Sequence, residues 1–334
     1  KPGKTIDIEL LCSGGEFHFS FSNLFMHGAP NALMDLSCVF QKPGVKDQMV
    51  SHISQLPDEI LCSILSLLTV RDSVWTKSMV NQWRSLPDIR SSLEFDACNV
   101  FGKEEKLCFG NKFHRSQFVS AVDKFMELWR GTKVNRLNVD FALGNEHASH
   151  IDRWILTAIR MGVEEVRLNF IHTDHESYRF PSRLVDFEKY SSSLKSLCLR
   201  KCKLHLYPDC QIWLSHLTVL ELSCVPLNWF SVRFILSGGL ILTSLTLSDC
   251  SLPRVFRIDG TQLHCLKKLA IKEKVMKIDL NCENLESFKY YGESVDITFI
   301  HVPILREVDI WLKFGLTASG IFDNLMRNAP QLEA

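Results

Sequence analysis

The apolar residues of the chain follow two different periods. Between residues 56 and 84 they recur every three or four positions, which is the period of an amphipathic helix. From residue 134 onward they form short alternating runs that return at intervals of about 20 to 30 residues, a pattern typical of stacked repeats. The sequence therefore predicts a small helical unit followed by a long repetitive body.

The helical unit begins at a clear start signal. Pro57 suits the first turn of a helix, and Asp58 and Glu59 suit the positive end of the helix dipole. Asp72 is predicted to cap a second, more weakly apolar helix. Roughly 40 residues rarely stabilise themselves without disulfides, metal or association, so an apolar face is expected to bind another protein. The predicted apolar stripe of the first helix consists of Ile60, Leu61, Ile64, Leu65, Leu67 and Leu68.

This stretch resembles an F-box, most closely the plant type. The resemblance rests on Leu56, Pro57, Glu59, Ile60, Leu61, Ile64, Leu65, Leu68, Asp72, Trp83 and Arg84. It implies binding to a Skp-type adaptor, which links such modules to a cullin ubiquitin ligase. The adaptor-binding residues that it implies are Leu56, Pro57, Ile60, Leu61, Ile64, Leu65, Leu68, Trp83 and Arg84. The alternative is an ordinary amphipathic helix pair that is buried within its own domain.

The repetitive body has the phase of leucine-rich repeats. Residues 194–204 have the form LxxLxLxxCxL, residues 242–252 repeat it, and shorter copies occur on both sides. The copies begin at residues 134, 163, 194, 217, 242, 266, 285 and 305. Each coil is too thin to enclose a core, so its leucines are expected to stack on those of neighbouring coils. The prediction is an α/β fold in which about eight coils form a curved solenoid with parallel strands on the concave face. The alternative is a set of strands in an ordinary α/β domain.

The rest of the chain fits around these two parts. Residues 1–50 are predicted to be a poorly ordered leader, residues 51–92 the F-box, and residues 93–334 the repeat solenoid. Residues 92–96 alternate like a strand, and helices are expected at residues 116–130 and 151–161, with Gly131 and Gly162 as left-handed caps. The last residues, 329–332, look like the approach to another strand, so the natural chain is expected to continue.

An F-box followed by leucine-rich repeats is similar to the plant F-box/leucine-rich-repeat proteins. In that family the repeats hold the protein to be ubiquitinated, and the resemblance implies a non-catalytic role for this chain. Aromatic side chains supply much of the binding energy at protein contacts, so two aromatic residues of the predicted concave face stand out among its lysines. The target-binding candidates are Lys268, Lys272, Lys289, Tyr291 and Trp311.

Composition narrows the possible partners and chemistry. Lys plus Arg (38) equals Asp plus Glu (38), which leaves no overall field for nucleic acid or an anionic membrane. The 12 cysteines are scattered without a CxxC pair, so they are interpreted as free thiols in a reducing compartment, the nucleus and/or the cytoplasm. No cofactor, metal or catalytic motif is expected. Cys202 and Cys250 are interpreted as structural, and the histidines at positions 147, 150, 172 and 175 as solvated loop residues rather than metal ligands.

Three hypotheses follow. The first is a substrate-recognition subunit of an SCF-type ubiquitin ligase, which binds a Skp-type adaptor through the F-box and an unknown target protein through the repeats. The second is a sensor that holds a small molecule on the concave face with the help of Lys268, Lys272 and Lys289. The third is a repeat scaffold without a link to a ligase, which predicts a folded helical unit with no affinity for the adaptor.

Overall fold

The fold is a leucine-rich-repeat body that carries a small helical unit at its first coil. The computed structural model describes residues 7–13, 16–22, 34–35, 56–79, 81–102, 112–170, 176–181, 193–206, 214–259, 263–293 and 295–312. Its helices are α1 (Asp58–Leu67), α2 (Val70–Met79), α3 (Asn81–Arg84), α4 (Ala97–Phe101), α5 (Lys112–Leu128), α6 (Ala148–Arg160) and α7 (Trp229–Gly238).

Nine parallel strands form the main sheet of the body. In spatial order they are β4 (Ser92–Asp96), β5 (Arg136–Asp140), β6 (Glu165–Asn169), β8 (Ser196–Arg200), β10 (Val219–Ser223), β11 (Ser244–Ser248), β13 (Lys268–Lys272), β15 (Ser287–Gly292) and β17 (Glu307–Leu312). Each of the eight main-sheet strands from β5 to β17 begins two residues after the apolar position that marks a predicted repeat. The predicted solenoid and its phase are therefore confirmed.

The strands stack in a constant register. Leu220 pairs with Leu245, and Leu245 pairs with Leu269, so equivalent leucines lie side by side in the core. The hydrogen bonding between neighbouring strands extends to the residue just before β11 and β13. The Thr243 N–H donates to the Thr218 carbonyl at 2.8 Å, and the Lys267 N–H donates to the Thr243 carbonyl at 2.9 Å. In β10 and β11 the side chains alternate between buried and partly exposed. The sheet thus has one core face and one solvent face.

The first coils return through helices. The predicted inward residues of α6, which include Trp154 and Ile155, are buried against the sheet. Gly162 has a positive φ of 77° and closes α6 as predicted. Gly131 was expected to do the same after α5, and that prediction is wrong, since Gly131 is not among the residues with positive φ. Its lack of a side chain serves packing instead, because a Cβ there would lie 2.3 Å from the Trp129 ring.

The last coils return through strands that the sequence analysis missed. A second parallel sheet consists of β12 (Val255–Asp259), β14 (Lys277–Asn281) and β16 (Asp296–His301), and a smaller one pairs β7 (Arg179–Phe180) with β9 (Lys203–Leu204). In β12, Phe256 and Ile258 point into the core that the main sheet shares. These strands lie outside the LxxLxL phase, and their signal in the sequence was a short apolar alternation: Phe256 with Ile258, Ile278 with Leu280, and Ile297 with Phe299.

Strands also occur in the region that was predicted to be a poorly ordered leader. β1 (Asp7–Ser13) pairs antiparallel with β2 (Glu16–Ser22), and β3 (Met34–Asp35) pairs with β2. No hairpin was predicted here, although Phe17, Phe19 and Phe21 alternate with polar residues in the manner of a strand. The remaining residues up to 55 lie outside the described part of the chain.

The helical unit, residues 56–90, forms at the predicted place with one change in its capping. Pro57 is the N-cap residue of α1. The second helix starts two residues before Asp72, so the predicted N-cap role of Asp72 is wrong. The Asp72 N–H donates to the Thr69 hydroxyl at 3.1 Å, and that hydroxyl donates to the Asp72 carboxylate at 2.8 Å. Thr69 and Asp72 thus act together in the manner of a capping box.

Candidate functional site

Most of the α1 residues that were predicted to bind the adaptor form the core of the helical unit instead. Leu61, Ile64 and Leu65 are buried together with Trp83 of α3 in a cluster that Cys62 and Leu86 complete. Their interpretation as exposed adaptor contacts needs correction, because three short helices must bury one apolar face on each other before they can offer another. These four residues shape the unit and present almost no surface to a partner.

A smaller apolar edge of α1 remains in contact with solvent. Ile60 is partly exposed, and Leu67, two turns further along the same face, is 45% exposed. At the start of the helix Pro57 is exposed and Leu56 is partly exposed, and Leu68 is partly exposed at its end. We call Leu56, Pro57, Ile60, Leu67 and Leu68 the α1 edge. Leu67 was absent from the predicted site, although its place in a widened apolar stripe was a usable signal.

Arg84 has a structural contact of its own. Its guanidinium donates to the carbonyls of Lys77 and Ser78 at 3.3 Å, which fastens α3 to the last turn of α2. Most of its side chain remains exposed. Arg84 therefore helps to fix the geometry of the unit and still has surface for a partner.

A buried ion pair inside the helical unit also forms a hydrogen bond with the first repeat. The Lys77 ammonium donates to the Asp88 carboxylate at 2.6 Å, and the two side chains are 2% and 3% exposed. The same carboxylate oxygen accepts the Arg130 N–H at 2.8 Å, just after α5. Both charges are thus satisfied inside the protein, which a buried pair needs if it is not to destabilise the fold.

Arg90 forms a second connection. It donates to the carbonyls of Leu65 and Leu68 at 2.8 and 2.7 Å, where α1 ends, and its guanidinium lies 5.4 Å from the centre of the Phe125 ring on α5. Burial lowers the pKa of the guanidinium. The carbonyls at a helix C-terminus lack partners within the helix, so Arg90 satisfies them from the chain that leads into the repeats.

The solvent face of the main sheet differs between its two ends. At the β4 to β10 end its charged side chains bind one another: Arg136 and Arg167 both donate to Glu165, and Glu221 lies 3.8 Å from Arg167. Burial raises the pKa of Glu165, but the bonds from both arginines outweigh this effect and hold the pKa below its usual value. This end of the face has few polar groups left for a partner.

At the β11 to β17 end the five predicted target-binding residues all lie on the solvent face and are exposed. Trp311 pairs in register with Tyr291, and Tyr291 with Lys272, so the three side chains form one row across neighbouring strands. The Lys272 ammonium lies 5.8 Å from the centre of the Tyr291 ring. Lys289 donates to Glu307 at 2.8 Å, and that bond raises the pKa of Lys289.

The cysteines and histidines have structural partners. Cys202 and Cys250 are fully buried, and the Cys250 thiol donates to the carbonyls of Leu222 and Ser248 at 3.3 and 3.2 Å. Burial raises the pKa of Cys250 to about 11. His150 contacts Asp123 at 2.7 Å, whereas residues 172 and 175 lie outside the described ranges. No group of three or more His, Cys, Asp or Glu that could hold a metal ion occurs within those ranges.

Within the part of the chain that the structure covers, no helix combines the length and the apolar character that crossing a bilayer requires.

The parallel sheet, its repeat phase and the docked helical unit define a leucine-rich-repeat protein with an F-box-like N-terminal module. Residues 126–334 match the model of the family described as the At1g61320/AtMIF1 LRR domain. The chain belongs to this family, within the plant F-box/leucine-rich-repeat proteins.

Relatives from Arabidopsis thaliana carry names of the same kind. At1g49610, named as an F-box protein, is 31% identical over 222 residues, which cover 66% of this chain and 50% of the relative. F-box/LRR-repeat protein At5g02910 is 26% identical over 296 residues, or 85% of this chain and 58% of the relative. F-box/FBD/LRR-repeat protein At2g04230 is 28% identical over 174 residues, which cover 52% of this chain and 37% of the relative. The chain thus spans about half the length of the curated relatives it matches.

Proposed function

We propose that this chain is the non-catalytic substrate-recognition subunit of a cullin-type ubiquitin ligase. The helical unit would bind a Skp-type adaptor, the solvent face of the main sheet would bind a target protein, and the complex would act in the nucleus and/or the cytoplasm. The names of the relatives support this role. Its mechanism is proximity, since a tethered target meets the conjugating enzyme at a raised effective concentration without chemistry by this chain.

The observation that carries the proposal is the α1 edge on a unit that is firmly joined to the repeats. Its apolar side chains stay in contact with solvent although the unit has its own core, and apolar surface of this kind is favourable to cover. Arg90 and the Lys77–Asp88 pair hold that edge in a fixed place relative to the main sheet. An adaptor on the edge and a target on the sheet would then keep a defined separation.

Binding of the purified chain to a Skp-type adaptor tests the proposal. Ile60→Asp with Leu67→Asp places two charges on the α1 edge, and we expect adaptor binding to be lost. Because Ile60 also packs against the buried cluster, circular dichroism checks that the variant is folded, and Leu67→Asp alone gives a variant without that contact. Leu61→Asp with Ile64→Asp would be uninformative, because it disrupts the core of the unit. Ile89→Asp is the matched control, since Ile89 is an exposed apolar residue of the same unit that does not belong to the α1 edge.

Two results would contradict the proposal. One is a wild-type chain that is folded but has no measurable affinity for the adaptor, which would leave the repeats as a scaffold without a ligase link. The other is adaptor binding by the doubly charged α1 variant that equals binding by the wild type.

A further inference from the structure

One part of the solvent face has short side chains next to two long lysine side chains. Strand β11 presents Ser244, Thr246 and Ser248, and the neighbouring strand β13 presents Ala270 opposite Thr246. We call these four residues the hydroxyl basin. Because their side chains are short, a bound molecule can approach the backbone of the sheet closely here.

The polar groups of the basin are available for binding. Ser244, Thr246 and Ser248 are partly exposed, and within the described residues none of the three hydroxyls has a hydrogen-bond partner in the protein. This differs from the β4 to β10 end of the face, where Arg136, Glu165 and Arg167 already bind one another. A partner that offers hydrogen-bonding groups therefore replaces only water in the basin.

Two lysines stand at the ends of the basin. Lys268 pairs in register with Ser244, and Lys272 pairs with Ser248. Lys268 is exposed and makes no ion pair among the described residues, and Lys272 has only the exposed Asp249 at 3.5 Å. An exposed pair of that length contributes little, so both ammonium groups can bind an acidic partner.

The acidic side chains near the basin either accept hydrogen bonds from other residues or lie on strands beside the basin. Lys289 donates to Glu307, which also accepts the Ser287 hydroxyl at 2.7 Å, and Asp309 lies in register with Lys289. On the opposite side of the basin Glu221 is in register with Thr246 and accepts from Cys198 at 3.2 Å. Among the described residues Lys268 makes no ion pair and Lys272 has only the exposed Asp249 as an ion-pair partner, so both lysines can still bind an acidic partner.

An aromatic ledge continues the basin toward the end of the sheet. Tyr291 is 42% exposed and Trp311 is 63% exposed, and both follow Ser248 and Lys272 in one row. Three strand spacings separate Ser248 from Trp311, or roughly 14 Å. An extended peptide covers that distance with about five residues, whereas a compact ligand in the basin would leave the ledge uncovered.

We infer that the hydroxyl basin and the adjoining Tyr291–Trp311 ledge bind an extended segment of the target protein that carries a carboxylate followed by an apolar side chain. The carboxylate lies between the lysines and the hydroxyls of β11, and the apolar side chain packs on Tyr291 and Trp311. This inference rests on the proposed function, to which it adds the chemical class of the target segment.

A displayed library of random 12-residue peptides tests the inference with the full chain. We expect enrichment of peptides in which Asp or Glu lies within a few positions of an aromatic or aliphatic residue. For a selected peptide, Lys272→Glu and Trp311→Ala should each raise the Kd about tenfold, the scale of a strong interface residue. Both residues are exposed, so the variants are expected to fold, which circular dichroism checks.

Matched controls separate this site from the rest of the surface. Lys133→Glu reverses an exposed lysine ahead of β5, and Phe230→Ala removes an aromatic ring that is 75% exposed on α7. Neither should change the Kd. Three results would each overturn the inference: enrichment of basic peptides, the absence of any enrichment, or a Kd of the Lys272 and Trp311 variants that equals the Kd of the wild type.

These outcomes are independent of the adaptor experiment. Adaptor binding without an acidic consensus would leave the ligase role intact and refute the target class. An acidic consensus without adaptor binding would refute the ligase role and leave a peptide-binding repeat protein.

Discussion

The helical unit and the repeat body are both rich in buried leucine and isoleucine, but they build cores of different kinds. In the body, one continuous core extends through the coils as far as Leu305, because each inward residue has an equivalent on the next strand. The unit instead has a separate cluster of six buried residues centred on Leu61 and Leu65. A core that small gains little from burial, so the unit depends on its contacts with the body, and this dependence is also what keeps the α1 edge in a fixed orientation.

The comparison also shows that packing crosses the predicted domain boundary between residues 92 and 93. Val70 of α2 belongs to the core of the body, and α2 packs against α5. Only α1, Trp83 and Leu86 keep a core of their own. The unit is therefore attached along one whole helix rather than through a flexible connection.

The largest effect is expected from breaking the buried ion pair. Asp88→Ala leaves the Lys77 ammonium buried without its partner and removes the acceptor of the Arg130 N–H. We expect a loss of about 3–5 kcal/mol in the free energy of unfolding, as for other broken buried pairs. Denaturant unfolding followed by circular dichroism measures this loss.

Lys77→Met with Asp88→Leu is the control for that experiment. Removing both charges leaves neither of them unpaired in the core, so much of the lost stability should return. If Asp88→Ala and the double variant unfold at the same denaturant concentration, the pair does not couple the unit to the body through its charge.

A smaller effect, confined to one region, is expected from a cavity in the core of the unit. Leu65 and Leu220 are both fully buried, the first in α1 and the second in β10. Truncation of either to Ala should cost about 2–5 kcal/mol. Leu65→Ala should raise hydrogen exchange mainly in α1 and α3, whereas Leu220→Ala should raise it across neighbouring strands, because their core is continuous. Equal protection of α1 in the two variants would contradict the idea of separate cores.

The sequence predicted the strands of the body because one physical requirement repeats in every coil. An inward Leu at a fixed phase is needed wherever coils stack, and the eight predicted positions all lie two residues before a strand. The return segments have no such shared requirement, since α5 and α6 cover the first coils and β12, β14 and β16 cover the last. The apolar period of α5 and α6 was enough to predict these two helices, whereas β12, β14 and β16 do not share the phase of the main-sheet strands and were not predicted.

The candidate site was predictable only in part for a related reason. Periodicity correctly placed Tyr291 and Trp311 on the solvent face, because side chains alternate along a strand. On α1 the period showed which residues are apolar but not which of two faces the unit buries. Leu61 and Leu65 were thus interpreted as contacts although they form the core, and Leu67 was left out. The partner of Lys77 lies 11 residues away and had no sequence signal.

Removing Arg90 should have a smaller effect than a core cavity. Arg90→Met leaves the carbonyls of Leu65 and Leu68 without their charged donor and keeps an apolar stem beside Phe125. We expect a loss of about 1.5–3 kcal/mol in the free energy of unfolding, the value of hydrogen bonds to a charged group. Faster hydrogen exchange at the end of α1, with unchanged exchange in β11, would place the loss at the junction. Unchanged exchange in both places would contradict a clamping role for Arg90.

The smallest expected effect is a loss of stability at low pH that comes from Asp123, a carboxylate between two helices of the body. Asp123 of α5 accepts bonds from Arg153, Trp154 and His150 around α6, and although burial alone raises its pKa, these bonds lower it below the usual value. A carboxyl whose folded pKa is depressed stabilises the fold above its unfolded pKa of about 3.9, and this contribution is lost as the pH falls through the folded value. The stability difference between the wild type and Asp123→Asn should therefore shrink as the pH falls below about 4. Unfolding measured from pH 6 to pH 2 provides the test, and a difference that grows in acid would show that the bonds to α6 do not stabilise the ionised carboxylate.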